Sequence, residues 1–297
     1  MTREYAESWL EIEKSLGGIR PVLQGSAEET REQFNGLMQI LEPQYPSPTS
    51  TVTATDGTFG NIKFCIYSPF EPEHDGPLPL GTYFHPGGFV IGQCLADEVF
   101  CRAIAQKTES IIMAIQYRLA PEHKVPCQLE DALAAVKWAH DNAGRIGGDV
   151  TKLYVLGASA GAGLAFSVAR KVALAQTALE PGAIKGIVAL SPYTLHPRFV
   201  PEAYKLSHNS YRDNKDNVPM IDAASLSGFF DAANLEQNDR DYFIALDRAS
   251  HQYLPPTYIS ACEIDPLRDD GKIMVQSLRD SSVPVKTDHY SGLPHCF

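Results

Sequence analysis

The feature that most constrains this chain is Gly157-Ala-Ser-Ala-Gly161. An apolar run, Leu153 to Leu156, leads into it. Leu164, Ala165, Val168, Ala169 and Val172 follow at helical spacing. A strand, a tight turn and a helix are therefore expected in that order, with a serine at the apex. Such a turn is crowded, so the residues beside the serine must be small. The helix start behind it presents unpaired N–H groups and the positive end of the helix dipole, which suit a developing anion. A five-residue match of this kind also arises by chance in small-residue loops, so its surroundings decide.

Those surroundings alternate strand and helix. Residues 51–55 and 61–67 read as strands flanking Asp56-Gly57, a hairpin-turn signal. Strands follow at 78–84, 110–117, 184–190, 257–261 and 283–290, and helices at 96–106, 129–142 and 271–280. Alternation of this sort implies an α/β chain with a mostly parallel sheet covered on both faces. One interruption stands out. Residues 196–250 carry no strand signal, with helical stretches at 223–233 and 241–245, and are too long for a connecting loop. We expect a cap insertion there, a core formed by 49–195 and 251–297, and an N-terminal helical arm at 1–48. The arm is too short to hold a core of its own.

A serine hydroxyl is a weak nucleophile at neutral pH. It needs a base in hydrogen-bond reach and a third group to hold that base. In a sheet of this kind the acid and then the histidine should follow the serine, each just after a later strand. Asp265 and His295 occupy those places. Asp265-Pro266 is also a common turn former. Asp269 and Asp270 are rival acids that read as charges at a helix start. His289, within the last strand, is the rival histidine, and a lone histidine in a Gly-Pro loop is otherwise an ordinary solvated residue. Gly87 and Gly88 follow a strand, where glycine lets backbone approach a substrate closely. With the N–H of Ala160 they would make a three-donor oxyanion hole; Pro86 has no N–H to give. The alternative for His85-Pro86-Gly87-Gly88 is a plain Pro-Gly turn, with His85 a structural loop residue.

Composition narrows the partners. The net charge of -11 argues against nucleic acid and anionic membrane surfaces. Charges interrupt the N-terminal sequence, so it does not read as a signal peptide, and no segment is long and apolar enough to span a bilayer. The six cysteines are scattered without a CxxC pair, which disfavours a metal site and a disulfide framework. A reduced, cytoplasmic protein with no metal and no cofactor is expected, a monomer or homodimer whose partner is a small-molecule ester.

Five blocks occur in order: His85-Pro-Gly-Gly-Phe89, Tyr117-Arg-Leu-Ala-Pro-Glu-His123, Gly157-Ala-Ser-Ala-Gly161, Asp265-Pro-Leu-Arg-Asp269 and Gly292-Leu-Pro-His295. Together they resemble the hormone-sensitive-lipase-like group of α/β-hydrolase carboxylesterases. The resemblance implies an eight-stranded sheet and a cap built from the N-terminal arm plus the insertion. It implies Ser159 as nucleophile, His295 as base, Asp265 as its orienter, and Gly87, Gly88 and Ala160 as oxyanion donors. Arg118 and Glu122 would tie loops together. The cap wording around Glu202-Ala-Tyr-Lys and Ser210-Tyr211 is more weakly similar to fungal members, some of which act on acylated secondary metabolites.

Three departures stand against the family pattern. Pro86 replaces the first of three glycines, Ala158 replaces an aspartate before the serine, and the sequence ends two residues after His295, where the family continues with a helix. Phe89, Leu195, Tyr211, Phe229 and Phe230 are expected to line an apolar acyl pocket suited to small and medium esters, or else to form cap core. Besides ester hydrolysis, a non-hydrolytic homologue stays open: a small-molecule receptor, or a cyclase or lyase reusing the pocket.

Overall fold

The computed structural model describes residues 3–73 and 75–296. Eight strands form one sheet in the order β1-β2-β4-β3-β5-β6-β7-β8. They are β1 (Val52–Phe59), β2 (Ile62–Pro69), β3 (Leu78–Phe84), β4 (Ile111–Gln116), β5 (Gly148–Ala158), β6 (Ile187–Leu190), β7 (Thr257–Ile264) and β8 (Val285–Pro294). β2 is antiparallel to both neighbours, and the remaining pairs are parallel. The strands alternate which core they feed. In β2, Phe64 and Ile66 join the larger apolar cluster while Cys65 and Tyr67 join a smaller one on the opposite face. Helices α4 (Cys127–Asn142), α5 (Ala160–Ala173) and α8 (Arg268–Asp280) pack into the larger cluster, and α3 (Glu98–Thr108) covers the smaller. This is the α/β-hydrolase architecture that the sequence implied.

The first hairpin differs from expectation. Asp56 and Gly57 are not its turn; both lie within β1, opposite Cys65 and Phe64. The turn is Gly60-Asn61. A Cβ on Gly57 would sit 2.3 Å from the Phe64 ring, so this glycine makes room for a cross-strand aromatic. The expected helix at 241–245 is reduced to one short turn at Ile244–Leu246.

The N-terminal segment carries α1 (Glu7–Ser15) and α2 (Ala27–Leu41), the latter started by a capping box between Ser26 and Glu29. Segment 196–250 carries α6 (Ser210–Asp213) and α7 (Ala223–Ala233). The two segments are joined. Val22 bridges to Met220, and Gln24 Nε2 donates to Asp222, the N-cap of α7. Among the described residues, no helix is long and apolar enough to cross a membrane.

Candidate active site

Ser159 sits between β5 and α5 with φ 52° and ψ −119°, a strained conformation for a residue with a side chain. Its neighbours explain why the turn holds. A Cβ on Gly157 would lie 2.4 Å from Gly161, and one on Gly161 would lie 1.9 Å from the Phe84 carbonyl oxygen. Both positions therefore require glycine. The Ser159 N–H donates to Leu190 O at the end of β6, and Ser159 O accepts the Gly163 N–H in the first turn of α5. Ser159 is only 5% exposed.

Asp265 and His295 meet at the end of the sheet. A register shift in the β7–β8 ladder between Cys262 and Ile264 pairs Ile264 with Pro294, so the next residues of the two strands face each other. His295 Nδ1 then lies 2.8 Å from Asp265 Oδ2. The other oxygen, Oδ1, accepts the Leu267 N–H at 2.7 Å. One carboxylate thus serves both as the turn former and as the histidine's partner. Both side chains are buried. Burial disfavours the imidazolium, but the Asp265 carboxylate outweighs it and holds His295 well above the ordinary imidazole value. His295 Nε2 lies 3.4 Å from Cys296 Sγ, and among the described residues Ser159 Oγ makes no hydrogen bond. His289 lies on β8 and is exposed. Asp269 and Asp270 face the cap segment instead of His295.

Gly87 (φ 120°), Gly88 (φ 60°) and Phe89 (φ 67°) form a tight loop after β3. The Gly87 carbonyl accepts from Val90 and Ile91, whereas the N–H groups of Gly87, Gly88 and Ala160 have no acceptor among the described residues. A Cβ on Gly87 would meet Ile91 O at 2.1 Å, so the loop closes only with glycine there. His85 is buried and stacked on Tyr117, ring centroids 4.1 Å apart. Its Nδ1 lies 2.7 Å from Pro86 O, and Tyr117 donates to His85 O. Burial lowers the His85 pKa to about 4, so it stays neutral.

The second block braces this loop. The Ala120 N–H donates to Phe89 O. Arg118 is paired with Asp131 in α4. Glu122 pairs with Arg31 of α2, whose guanidinium also donates to Val90 O at 2.9 Å and Ala120 O at 2.6 Å. Arg31 was not anticipated from the sequence. Its partners lie 59 to 91 residues away, and an arginine on an amphipathic helix has no local mark of such a role. The arm also reaches the histidine loop, where Ala6 N–H donates to Gly292 O.

The five apolar residues have different surroundings. The Phe229 ring lies against Gly88, where a Cβ would approach it to 2.3 Å. Phe89 is buried against Tyr117, Tyr193 and Tyr242. Phe230 packs on Tyr193, His196 and Phe243. Leu195 is fully buried, and its carbonyl accepts from the Tyr211 hydroxyl. Two surface cavities, of about 240 and 500 Å³, lie beside Leu133 and Val172 and beside His196 and Phe199; neither includes Ser159.

No group of three or more histidine, cysteine or acidic side chains among the described residues is arranged to hold a metal ion. Residues 82–297 match the family described as having the alpha/beta hydrolase fold. The chain belongs to that family. A versiconal hemiacetal acetate esterase of Dothistroma septosporum is 42% identical over all of this chain and 89% of its own length. Among solved structures, vibralactone cyclase superposes with a TM-score of 0.84 at 27% identity, covering 99% of this chain and 88% of that one. EstE1, a thermostable carboxylesterase from a metagenomic library, gives 0.79 at 26% identity over 92% and 90%. The hormone-sensitive-lipase-like resemblance is thereby borne out, and the protein is a carboxylesterase-type hydrolase.

Proposed function

We propose that Ser159, His295 and Asp265 act as a triad that cleaves an acyl ester through an acyl-enzyme. Ser159 Oγ attacks the ester carbonyl as His295 Nε2 takes its proton. The oxyanion is received by the N–H groups of Gly87, Gly88 and Ala160. His295 returns the proton to the leaving alcohol, then activates water for deacylation. The observation that carries this reading is the 2.8 Å Asp265–His295 contact after adjacent strands of the sheet that presents the strained Ser159 turn. A Ser159–His295 bond that tightens only with substrate is ordinary for such sites.

The substrate class follows from the walls and the relatives. Phe229 over Gly88 leaves little depth beside the oxyanion donors, which favours short acyl groups. The esterase name of the Dothistroma relative supports an acetylated or similarly acylated secondary metabolite. Phe89, Leu195, Tyr211, Phe229 and Phe230 frame the acyl side, with 1–48 and 196–250 as the cap over a core of 49–195 and 251–297. We also expect a cytoplasmic monomer or homodimer, checked by fractionation and light scattering.

Turnover of p-nitrophenyl acetate and butyrate by the wild type, and its loss in Ser159→Ala, tests the proposal; equal activity in the variant refutes the nucleophile. A second reading draws on the near-closure of Ser159 and the likeness to vibralactone cyclase. There a hydroxyl of the acyl chain, in place of water, captures the acyl-enzyme and leaves as a lactone. Product mass after a single turnover separates the two.

A further inference from the structure

The cap segment is fastened to the acid-bearing loop and the start of α8 by a run of hydrogen bonds. Cap residues 208–214 meet residues 263–270 through side chains on both sides. His208 Nε2 lies 2.7 Å from Asp270 Oδ1, and both side chains are buried. Asp270 Oδ2 accepts from Thr194 N–H at 2.9 Å, from Leu195 N–H at 3.0 Å and from the Tyr211 hydroxyl at 3.3 Å. Asp269 Oδ2 accepts the Asn209 and Ser210 N–H groups, each at 2.8 Å. The Ser210 hydroxyl donates to Pro266 O at 2.7 Å, and Asn214 Nδ2 donates to the carbonyl of Asp265 itself at 3.0 Å.

We propose that His208, acting through Asp270, is a positioning residue that holds cap segment 208–214 so that Ser210 and Asn214 fix the backbone of Asp265. The inference rests on the triad reading above, with Asp265 as the group that orients His295. His208 touches neither the serine nor the substrate; it acts at one remove. Without it, Asp270 keeps its hold on residues 194–195 and the 3.3 Å bond from the Tyr211 hydroxyl but loses its charge-assisted bond to the 208–211 turn, which is then left to that hydroxyl and to Asp269. That turn carries Ser210, whose hydroxyl reaches Pro266 O, and leads through α6 into Asn214, which reaches Asp265 O. Burial opposes a charge on His208, but Asp270 and then Asp269 outweigh it and hold its pKa above the ordinary value. The contact is therefore a charge-assisted bond in a dry setting, the stronger kind. Asp270 and Asp269 from α8 are the acidic groups facing it. Arg268 turns toward Asp269 and Asp213, and the Tyr211 ring packs 4.3 Å away.

The position accounts for a feature that the sequence reading assigned otherwise. Asp269 and Asp270 do open α8, as helix-start charges would. Their carboxylates, however, are taken up by cap residues 208–211 and by the N–H groups of Thr194 and Leu195 just before the cap. The chain thus ties the catalytic acid to the cap through the very next turn of structure. Seating of segment 208–214 and placement of the Asp265 backbone are thereby linked.

The test compares His208→Ala, His208→Gln and Asn214→Ala with wild type on p-nitrophenyl acetate, with circular dichroism to confirm folding. His208→Ala is expected to lower kcat roughly tenfold, short of the ~10²-fold that a full 1 Å misplacement costs, with KM held within about twofold. His208→Gln, which keeps a donor without the charge, should recover most of the loss. Asn214→Ala cuts the direct bond to Asp265 and should reproduce the kcat loss, and it carries the test alone if His208→Ala does not fold. The deciding arm adds each change to Asp265→Asn, where no further loss of kcat is expected. Wild-type kcat in the folded variants, an effect on KM alone, or an undiminished loss in the Asp265→Asn background overturns the proposal. Wild-type activity in Asp265→Asn by itself sinks the triad reading, so the two failures are told apart.

Discussion

Gly161→Ala puts the site geometry under direct strain. The added methyl carbon would sit 1.9 Å from Phe84 O, 2.5 Å from Phe84 C and 2.7 Å from His85 O, all backbone. Real Cβ contacts stay beyond 3.0 Å, so either the start of α5 or the end of β3 must retreat by about 1 Å. The first carries the Ala160 N–H and Ser159. The second leads directly into Gly87 and Gly88. Either displacement separates donors that must lie within about 2.7–3.1 Å of one oxyanion position. A shift of that size costs about 10²-fold in kcat, and overpacking of a tight contact costs about 1–3 kcal/mol in stability. The assay is kcat on p-nitrophenyl acetate beside thermal unfolding. Gly36→Ala on α2 is the control, since nothing lies within 4 Å of the new methyl group. A gain of about 0.5–1 kcal/mol with unchanged kcat is expected there. Wild-type kcat and melting temperature in Gly161→Ala would refute the argument that this contact sets the oxyanion hole.

Further predictions follow from the same geometry. His295 is held above its ordinary value of 6.5 by Asp265, so the neutral base, and with it kcat/KM, should be lost as pH falls through that raised value. For stability the sign is opposite: the charged pair contributes fully below 6.5 and its contribution is lost as pH rises through the folded value. Asp265→Asn should move the acid limb of kcat/KM to lower pH and cut kcat by about 10⁴-fold; an unmoved limb contradicts the assignment. Arg31→Ala removes the brace on Val90 O and Ala120 O and should cost about 1–2 kcal/mol by chemical denaturation, the exposed Glu122 contributing little. Phe229→Ala should raise kcat/KM for p-nitrophenyl hexanoate relative to acetate by about tenfold, and an unchanged ratio argues that the ring does not bound the acyl side.

Much of the fold was legible because its signals are local. The Gly157-to-Gly161 turn, the buried runs of β3 to β7 and helix 223–233 are each declared by neighbouring residues. Asp265 and His295 were legible by their order after strands, and the register shift that joins them needed the ladder. Asp56-Gly57 misled because a turn-forming pair also suits a strand that must pass beneath Phe64. Arg31 and His208 were not legible at all. Each acts across long sequence separations on partners of ordinary appearance, and only packing brings them together. Asp269 and Asp270 show the limit from another side: their place at a helix start was readable, but not that the N–H groups of Thr194, Leu195, Asn209 and Ser210 would converge on them.

The most direct test of the central claim is the site of covalent labelling by a fluorophosphonate, mapped by peptide mass spectrometry. The account predicts one stoichiometric adduct, on Ser159, abolished in Ser159→Ala and strongly slowed in His295→Gln. An adduct on another residue, or active enzyme that turns over p-nitrophenyl acetate with Ser159 unlabelled, contradicts it.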